Sequence, residues 1–188
     1  MFSDSSENRT ASPSKAILIW SASGLKFSGI SWLGNEGFFY SSYDKPDGSE
    51  LSAKTDQHKL YFHELGTPQS DDELVFGGTS EQKHRYVGAD VGGEDRYLLI
   101  SAANSTSGNK LFIKDLSSET SELITIFADE GADTFLLESD GETLLMGSNH
   151  KAPKGRVIAI DPQNPDEANW RDVIPESDVV LTARAGAG

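Results

Sequence analysis

A short phrase recurs along the chain and restricts the folds that the chain can adopt. Residues 59–65 read KLYFHEL, residues 110–116 read KLFIKDL, and residues 156–162 read RVIAIDP as a weaker third copy. Each copy begins with a basic residue, continues with apolar residues and contains an acid near its end. Self-similarity at a regular period is typical of folds that stack copies of one structural unit. The chain is therefore predicted to be built from repeats of one structural unit.

A polar turn between two apolar runs precedes each copy and gives a second, independent marker of the repeat. The turns are GNEG (34–37), GGED (92–95) and SDGE (139–142), and they lead into FFYSSY, RYLLISA and TLLMGS. Turn-forming residues between β-rich runs are typical of hairpins. A further strand-like run follows each phrase, at residues 73–77, 123–128 and 170–175. Each unit is therefore predicted to contain four antiparallel strands.

Four antiparallel strands at a period near 50 residues are typical of one blade of a β-propeller. We therefore predict an all-β chain with about three such blades, at about residues 30–77, 86–128 and 133–176. A β-sandwich or barrel would also have a strand every 8–12 residues or so. Neither alternative explains why the turn and the phrase recur together at a blade-length spacing.

Three blades cannot close a ring, because propellers close with about 4–8 blades. The partial propeller, residues 26–183, is therefore expected to form an open arc. Its end faces would be apolar, so the arc either self-associates or is covered by further chain. Residues 177–188 resemble the first strand of a truncated next blade, and residues 1–25 are a polar leader of uncertain structure.

The charge and the cysteine count exclude several classes of function. The chain has a net charge of −14, from 30 acids and 16 bases, and no cysteine. Such a surface repels nucleic acid and anionic membrane, so neither is expected as a partner. Without cysteine there is no disulfide, thiolate nucleophile or zinc–thiolate site. No apolar run is long enough for a signal peptide or a spanning helix, so the cytoplasm or periplasm is expected.

The residue patterns of serine hydrolases and metal sites are incomplete in this sequence. The tripeptides GIS (29–31) and GTS (78–80) begin like the G-x-S-x-G turn of a nucleophilic serine but lack its second glycine. The histidines lack metal-ligand spacing and are expected to be exposed or hydrogen-bonded residues. They are His58, His63, His84 and His150. The sequence predicts no catalytic residue, no metal site and no cofactor.

Several longer stretches are similar to the propeller of the prolyl oligopeptidase family. They are KFSGISWLGNEGFFYSSYD (26–44), QHKLYFHELGTPQSDDELVFG (57–77), RYLLISA with NKLFIKDL (96–116), and NHKAPKGRVIAIDPQNPDEANWRDVIPE (149–176). The most specific parts are LGTPQSDDELVFG and the ending that runs from Ile160-Asp161 to DVIPE. The resemblance covers about residues 26–183.

The resemblance implies a serine peptidase that cuts short peptides after proline. In this family a seven-bladed propeller is paired with an α/β-hydrolase domain, which carries the Ser-His-Asp triad. This chain would then hold about three of the seven blades and be inactive alone. Its expected role is to cap and gate the active site and to contribute to the substrate pocket. Its expected partners are short proline-containing peptides and the hydrolase domain of the same protein.

Three positions match substrate-facing positions of the family. Phe27, in LKFSG, matches an aromatic residue that reaches the cavity beside the active site. Val87, in RYVGAD, and Ser105, in ANSTSGNK, match two residues that line the same apolar pocket. Family members often carry a longer apolar residue or a cysteine at the last two positions. Phe27 has a second interpretation, as an ordinary core residue of its blade.

Two further functions are compatible with the sequence. One is a non-catalytic propeller that serves as a scaffold for binding proteins or peptides. The other is the propeller of a related oligopeptidase, such as one that prefers basic residues. The family-like stretches LGTPQSDD and DVIPE favour the prolyl endopeptidase over both.

Overall fold

A computed structural model describes residues 29–43 and 57–181 of the chain. Over these ranges the chain forms three antiparallel four-stranded sheets, and in each sheet consecutive strands are neighbours. The helical segments in these ranges are short 3₁₀ turns, Gln69–Asp71 and Glu167–Asn169. The predicted all-β fold with three four-stranded units is confirmed.

The three sheets follow one another along the chain. The first contains β1 (Ile30–Leu33), β2 (Gly37–Tyr43), β3 (His58–Glu64) and β4 (Glu73–Phe76). The second contains β5 (Tyr86–Gly92), β6 (Tyr97–Ala103), β7 (Lys110–Asp115) and β8 (Ile124–Phe127). The third contains β9 (Thr134–Ser139), β10 (Leu144–Ser148), β11 (Arg156–Ile160) and β12 (Arg171–Ile174).

The repeated phrase forms the third strand of every sheet, including its weak third copy. Strands β3, β7 and β11 each pair with the following strand through a register irregularity at the same position. The irregularity lies directly after Leu60, Leu111 and Val157. Such a bulge bends the strand and increases its twist. The shared bulge shows that the three sheets are copies of one structural unit.

The second sheet packs against both of its neighbours, and the side chains of β6 show how. Leu98, Ile100 and Ala102 lie in a buried cluster with residues of the first sheet. Tyr97 and Leu99, which alternate with them, lie in a second cluster with residues of the third sheet. Successive side chains of a strand point to opposite faces, so both faces of this sheet are core. The face-to-face packing is that of consecutive propeller blades.

The two ends of the chain differ in how far the described ranges reach into them. Residues 1–28, which include Phe27, and residues 182–188 lie outside the described ranges. Within the described part, the backbone N–H of Leu181 donates a hydrogen bond to the carbonyl oxygen of Lys154 at 2.7 Å. This bond holds the last described residues beside the start of β11. Whether residues 177–188 begin another blade stays a prediction.

Candidate functional site

Val87 and Ser105, the two predicted substrate-facing positions in the second sheet, lie at one edge of that sheet. At this edge β5 begins and β6 ends, with Tyr86 opposite Ala103. Strand β7 begins there as well, because Ala102 is opposite Lys110. Three segments therefore meet at this edge: residues 77–85 before β5, residues 104–109 between β6 and β7, and residues 128–133 between β8 and β9. We call residues 104–108 the Ser105 loop and residues 128–133 the connector.

Val87 lies in the core between the first and second sheets. Its side chain is buried and belongs to the cluster that contains Phe39 and Leu60. Its backbone N–H donates to Nδ1 of His58 at 3.0 Å, and its carbonyl oxygen accepts from Oγ of Ser41 at 2.7 Å. Two side chains of the first sheet thus fix the backbone of Val87. A contact between Val87 and a substrate stays a prediction.

Ser105 lies on the exposed part of its loop. Residues 104–107 are exposed, whereas Gly108 and Asn109 are buried. Oγ of Ser105 donates to the carbonyl oxygen of Ser107 at 3.1 Å and accepts from the backbone N–H of Ser107 at 3.2 Å. These local bonds shape the tip of the loop and leave it facing solvent.

Glu130, in the connector, is surrounded by hydrogen-bond donors. Its carboxylate accepts from the side-chain amide of Asn104 at 3.1 Å and from the Asn104 backbone N–H at 3.3 Å. Nζ of Lys110 and Nε2 of the buried His84 each lie 3.7 Å from the same carboxylate. Glu130 therefore links three segments of this edge.

Asn109 joins the second sheet to the third through its side chain. Its side-chain amide donates to the carbonyl oxygen of Thr134 at 2.9 Å, and its Oδ1 accepts from the Thr134 backbone N–H at 2.8 Å. Its own backbone N–H donates to the carbonyl oxygen of Ala132 at 2.9 Å. Because Asn109 and Thr134 are buried, this pairing replaces water for both polar groups of the Thr134 backbone.

His58 occupies the equivalent position in the first sheet and has an equivalent role. Both His58 and Asn109 stand directly before the lysine of the repeated phrase. The backbone N–H of His58 donates to the carbonyl oxygen of His84 at 2.8 Å, and its Nδ1 accepts from Val87 as described above. The third copy has Gly155 at this position. The sequence offered one signal for this bridge, a polar residue before the lysine in both good copies.

A second buried polar group lies in the first sheet. The Asp72 carboxylate accepts from the hydroxyl of Tyr40 at 2.6 Å and lies 2.7 Å from Nδ1 of His63. Burial and the hydrogen bond to Asp72 raise the pKa of Tyr40 to about 12. This network fastens the turn after β3 to the face of the sheet, which is a structural role.

The serines of the two incomplete Gly-x-Ser patterns are engaged in other contacts. Oγ of Ser31 accepts from the backbone N–H of Val91 at 2.8 Å. Oγ of Ser80 donates to the carboxylate of Glu81 at 3.0 Å. Neither contact involves a histidine, which a serine nucleophile uses as its base.

Over residues 29–43 and 57–181, no cluster of three or more histidine, aspartate or glutamate side chains is arranged to bind a metal ion. The described residues contain no helix that could span a membrane.

The sequence matches one protein family over most of its length. Residues 21–187 match the profile described as "Prolyl oligopeptidase, N-terminal beta-propeller domain". The chain belongs to this family.

Related proteins agree with this assignment. The chain is 50% identical to the prolyl endopeptidase of Elizabethkingia meningoseptica over 165 residues, which is 87% of this chain and 23% of the relative. It is 30% identical to prolyl oligopeptidase A of Amanita bisporigera over 169 residues, which is 81% of this chain and 21% of the relative. The chain thus spans less than a quarter of the length of these relatives.

Solved structures of the family contain the same fold. A chain from a study of inter-domain dynamics in two prolyl endopeptidases superimposes with a TM-score of 0.73 at 27% identity, over 85% of this chain and 22% of that chain. Prolyl oligopeptidase B of Galerina marginata, bound to a 35mer hydrolysis and macrocyclization substrate, superimposes with a TM-score of 0.70 at 28% identity. This match covers 81% of this chain and 22% of that chain. The three sheets are therefore part of a prolyl oligopeptidase propeller.

Proposed function

We propose that this chain is the propeller portion of a serine peptidase that cleaves short peptides after proline. The observation that carries the proposal is the 50% identity to a prolyl endopeptidase over 165 residues. The LGTPQSDDELVFG and DVIPE stretches, which resemble the family, lie within the residues 21–187 that match its propeller profile. The partners that follow are short proline-containing peptides and an α/β-hydrolase domain of the same protein.

In this proposal the chain caps and gates the active site and performs no chemistry itself. A serine peptidase needs a nucleophile on a strained turn, a histidine base and an acid that orients it. In this family those groups belong to the hydrolase domain. A cover that moves relative to the catalytic domain controls which substrates enter and excludes water during the reaction.

The proposed contribution of the chain to the substrate pocket comes from Phe27, Val87 and Ser105. The exposure of Ser105 supports direct contact with a peptide. Val87 is proposed to line the pocket from its match to the family, and its buried side chain lies in the cluster that contains Phe39 and Leu60. Phe27 is proposed from its match to the family alone.

The proposed division of the chain keeps blades at about 30–77, 86–128 and 133–176 and the start of a next blade at 177–188. The support for the last part is positional. The hydrogen bond between Leu181 and Lys154 lies beside the start of β11. The bonds from His58 to His84 and from Asn109 to Ala132 lie beside the starts of β3 and β7. The proposed compartment is the cytoplasm or periplasm.

The test uses two proteins, the longest natural polypeptide that contains these residues and residues 1–188 alone. The longer protein should release a chromophore from a peptide with proline before the scissile bond, and a serine-directed inhibitor should abolish the release. The shorter protein should give no turnover. Binding of proline peptides by the longer protein without any cleavage would instead support the non-catalytic scaffold. Cleavage after lysine or arginine would support the related oligopeptidase.

A further inference from the structure

We propose that Glu130 and Asp133 are positioning residues that hold the Ser105 loop against the connector. They would thereby set where Ser105 stands in the peptide pocket. The second statement rests on the proposed function, because it assumes that Ser105 faces the peptide. The first rests only on the contacts at this edge of the second sheet.

The loop is held at both of its ends by these two acids. At the start, the Glu130 carboxylate accepts from the backbone N–H and the side-chain amide of Asn104. At the end, Oδ1 of Asp133 accepts from the backbone N–H of Gly108 at 2.7 Å. Between these points the described hydrogen bonds of Ser105 join it to Ser107 within the loop. The position of the exposed tip therefore depends on its two ends.

Gly108 brings the loop closer to the connector than any other residue could. Its φ of +77° lies in the left-handed region, and a Cβ at this position would overlap the carbonyl oxygen of Glu130. Only glycine has no Cβ, so only glycine allows the two backbones to approach in this way. The loop and the connector therefore fit together through backbone as well as side-chain contacts.

Asp133 is in turn fixed by the third sheet. Its backbone N–H donates to Oδ1 of Asn149 at 2.8 Å, and its carbonyl oxygen accepts from the Asn149 backbone N–H at 3.1 Å. The side-chain amide of Asn149 also donates to Oδ2 of Asp133 at 3.3 Å. A carboxylate with several fixed donors keeps one orientation. A loop of the second sheet is thus positioned by residues that the third sheet holds in place.

The structural half of the proposal is tested with a spin label on the chain itself. Because the chain contains no cysteine, Ser105→Cys gives a single labelling site. Electron paramagnetic resonance should show a label that becomes more mobile in Glu130→Ala, in Asp133→Ala and in Gly108→Ala. Glu130→Gln keeps one acceptor and should restore part of the wild-type spectrum. Unchanged spectra in both Glu130→Ala and Asp133→Ala would overturn the proposal.

A matched control separates this effect from a general change of charge. Glu119 lies in the turn between β7 and β8, at the opposite edge of the second sheet. Glu119→Ala removes the same charge and should leave the label spectrum unchanged. A variant whose circular dichroism shows loss of the fold is replaced by Glu130→Gln or Asp133→Asn. If Glu119→Ala loosens the label as much as Glu130→Ala does, the anchoring contacts are not the cause and the proposal fails.

The functional half is tested in the longest natural polypeptide that contains these residues. Glu130→Ala should raise KM for a proline peptide about threefold to tenfold, because a loop that is no longer held must be ordered when the peptide binds, while kcat changes less than about twofold. A merely destabilised enzyme would instead lose active molecules, which lowers the apparent kcat at constant KM. If Glu130→Ala makes the spin label more mobile but leaves KM unchanged, Glu130 does anchor the loop, and the proposed role of Ser105 in the peptide pocket is wrong. If the wild-type protein has no proline-specific activity at all, the proposed function is wrong, whereas the anchoring of the Ser105 loop is unaffected.

Discussion

The bridge from Asn109 to Thr134 gives the sharpest prediction about stability. Asn109→Ala removes both side-chain hydrogen bonds to the backbone of Thr134. Thr134 is only 1% exposed. The hydrogen bond from the Asn109 backbone to Ala132 remains, so the change isolates the side chain. We expect the variant to fold and to be less stable than the wild type.

The size of the effect follows from the groups left without partners. A buried polar group that loses its hydrogen bond costs about 1–3 kcal/mol. Two such groups at Thr134, with some relaxation toward solvent because Asn109 itself is 8% exposed, should lower the free energy of unfolding by about 2–4 kcal/mol. Asn109→Asp keeps the acceptor but sets a carboxylate against a carbonyl oxygen, so it should be at least as destabilising.

The assay is urea denaturation of the chain followed by circular dichroism and tryptophan fluorescence. The matched control is Asn169→Ala, because Asn169 is exposed and makes one long hydrogen bond, at 3.5 Å, to the carbonyl oxygen of Asn164. This control should change the free energy of unfolding by less than about 0.5 kcal/mol. If Asn109→Ala costs no more than Asn169→Ala, the bridge does not stabilise the contact between the second and third sheets.

Two further predictions use the core and an ion pair. Ile100→Ala should lower the free energy of unfolding by about 2–5 kcal/mol, because Ile100 is fully buried between the first two sheets. Ile124→Ala, at a residue that is 47% exposed, should cost less than about 1 kcal/mol, and equal losses in urea denaturation would show that this interface is not core. The hydrogen bond from Arg96 holds the pKa of Asp115 at about 2, below its usual value of about 3.9. Because the folded-state pKa is lowered, this pair stabilises the fold above about pH 4 and its contribution is lost as the pH falls toward 2. Asp115→Asn should therefore flatten the stability curve over that window, and parallel curves for variant and wild type would refute the assignment.

Much of the fold could be predicted from the sequence because two independent patterns, the repeated phrase and the polar turn before it, recur in every unit. The phrase at 59–65 and 110–116 predicted the third strands, and the turns before it predicted the hairpins. The weak third copy, RVIAIDP, could still be placed because its turn was clear. The nearly continuous apolar run of β6, YLLISAA, accounts for a second sheet that is buried on both faces.

The strand ends differ from the prediction for local reasons. Residues 170–175 were predicted as a strand, whereas β12 is Arg171–Ile174. Trp170 instead ends a 3₁₀ turn, and its indole N–H donates to the carbonyl oxygen of Pro165 at 2.8 Å. Likewise the turn predicted at residues 92–95 lies at residues 93–96, so Arg96 belongs to the turn, in which Gly93, Glu94 and Asp95 have positive φ.

The contacts that join the sheets were not predictable from the sequence. A histidine beside a strand has the same sequence pattern whether or not its ring accepts a hydrogen bond from the next sheet. The role of His58 depends on the position of Val87, which is 29 residues away along the chain. The anchoring of the Ser105 loop depends in the same way on Glu130, which is 26 residues from Asn104 along the chain. The burial of Val87 could not be predicted either, because it results from packing between the first and second sheets and the residue pattern of a single strand does not show which sheets pack together.

The most direct test of the account is to find where a bound peptide lies on the longest natural polypeptide that contains these residues. A proline peptide that carries a benzophenone group is bound, irradiated and mapped by mass spectrometry. The proposed pocket role of Ser105 predicts cross-links within the Ser105 loop, and their loss when excess unlabelled proline peptide is present. Cross-links found only outside residues 1–188, or only in the turns at the opposite edge of the sheets, would contradict it.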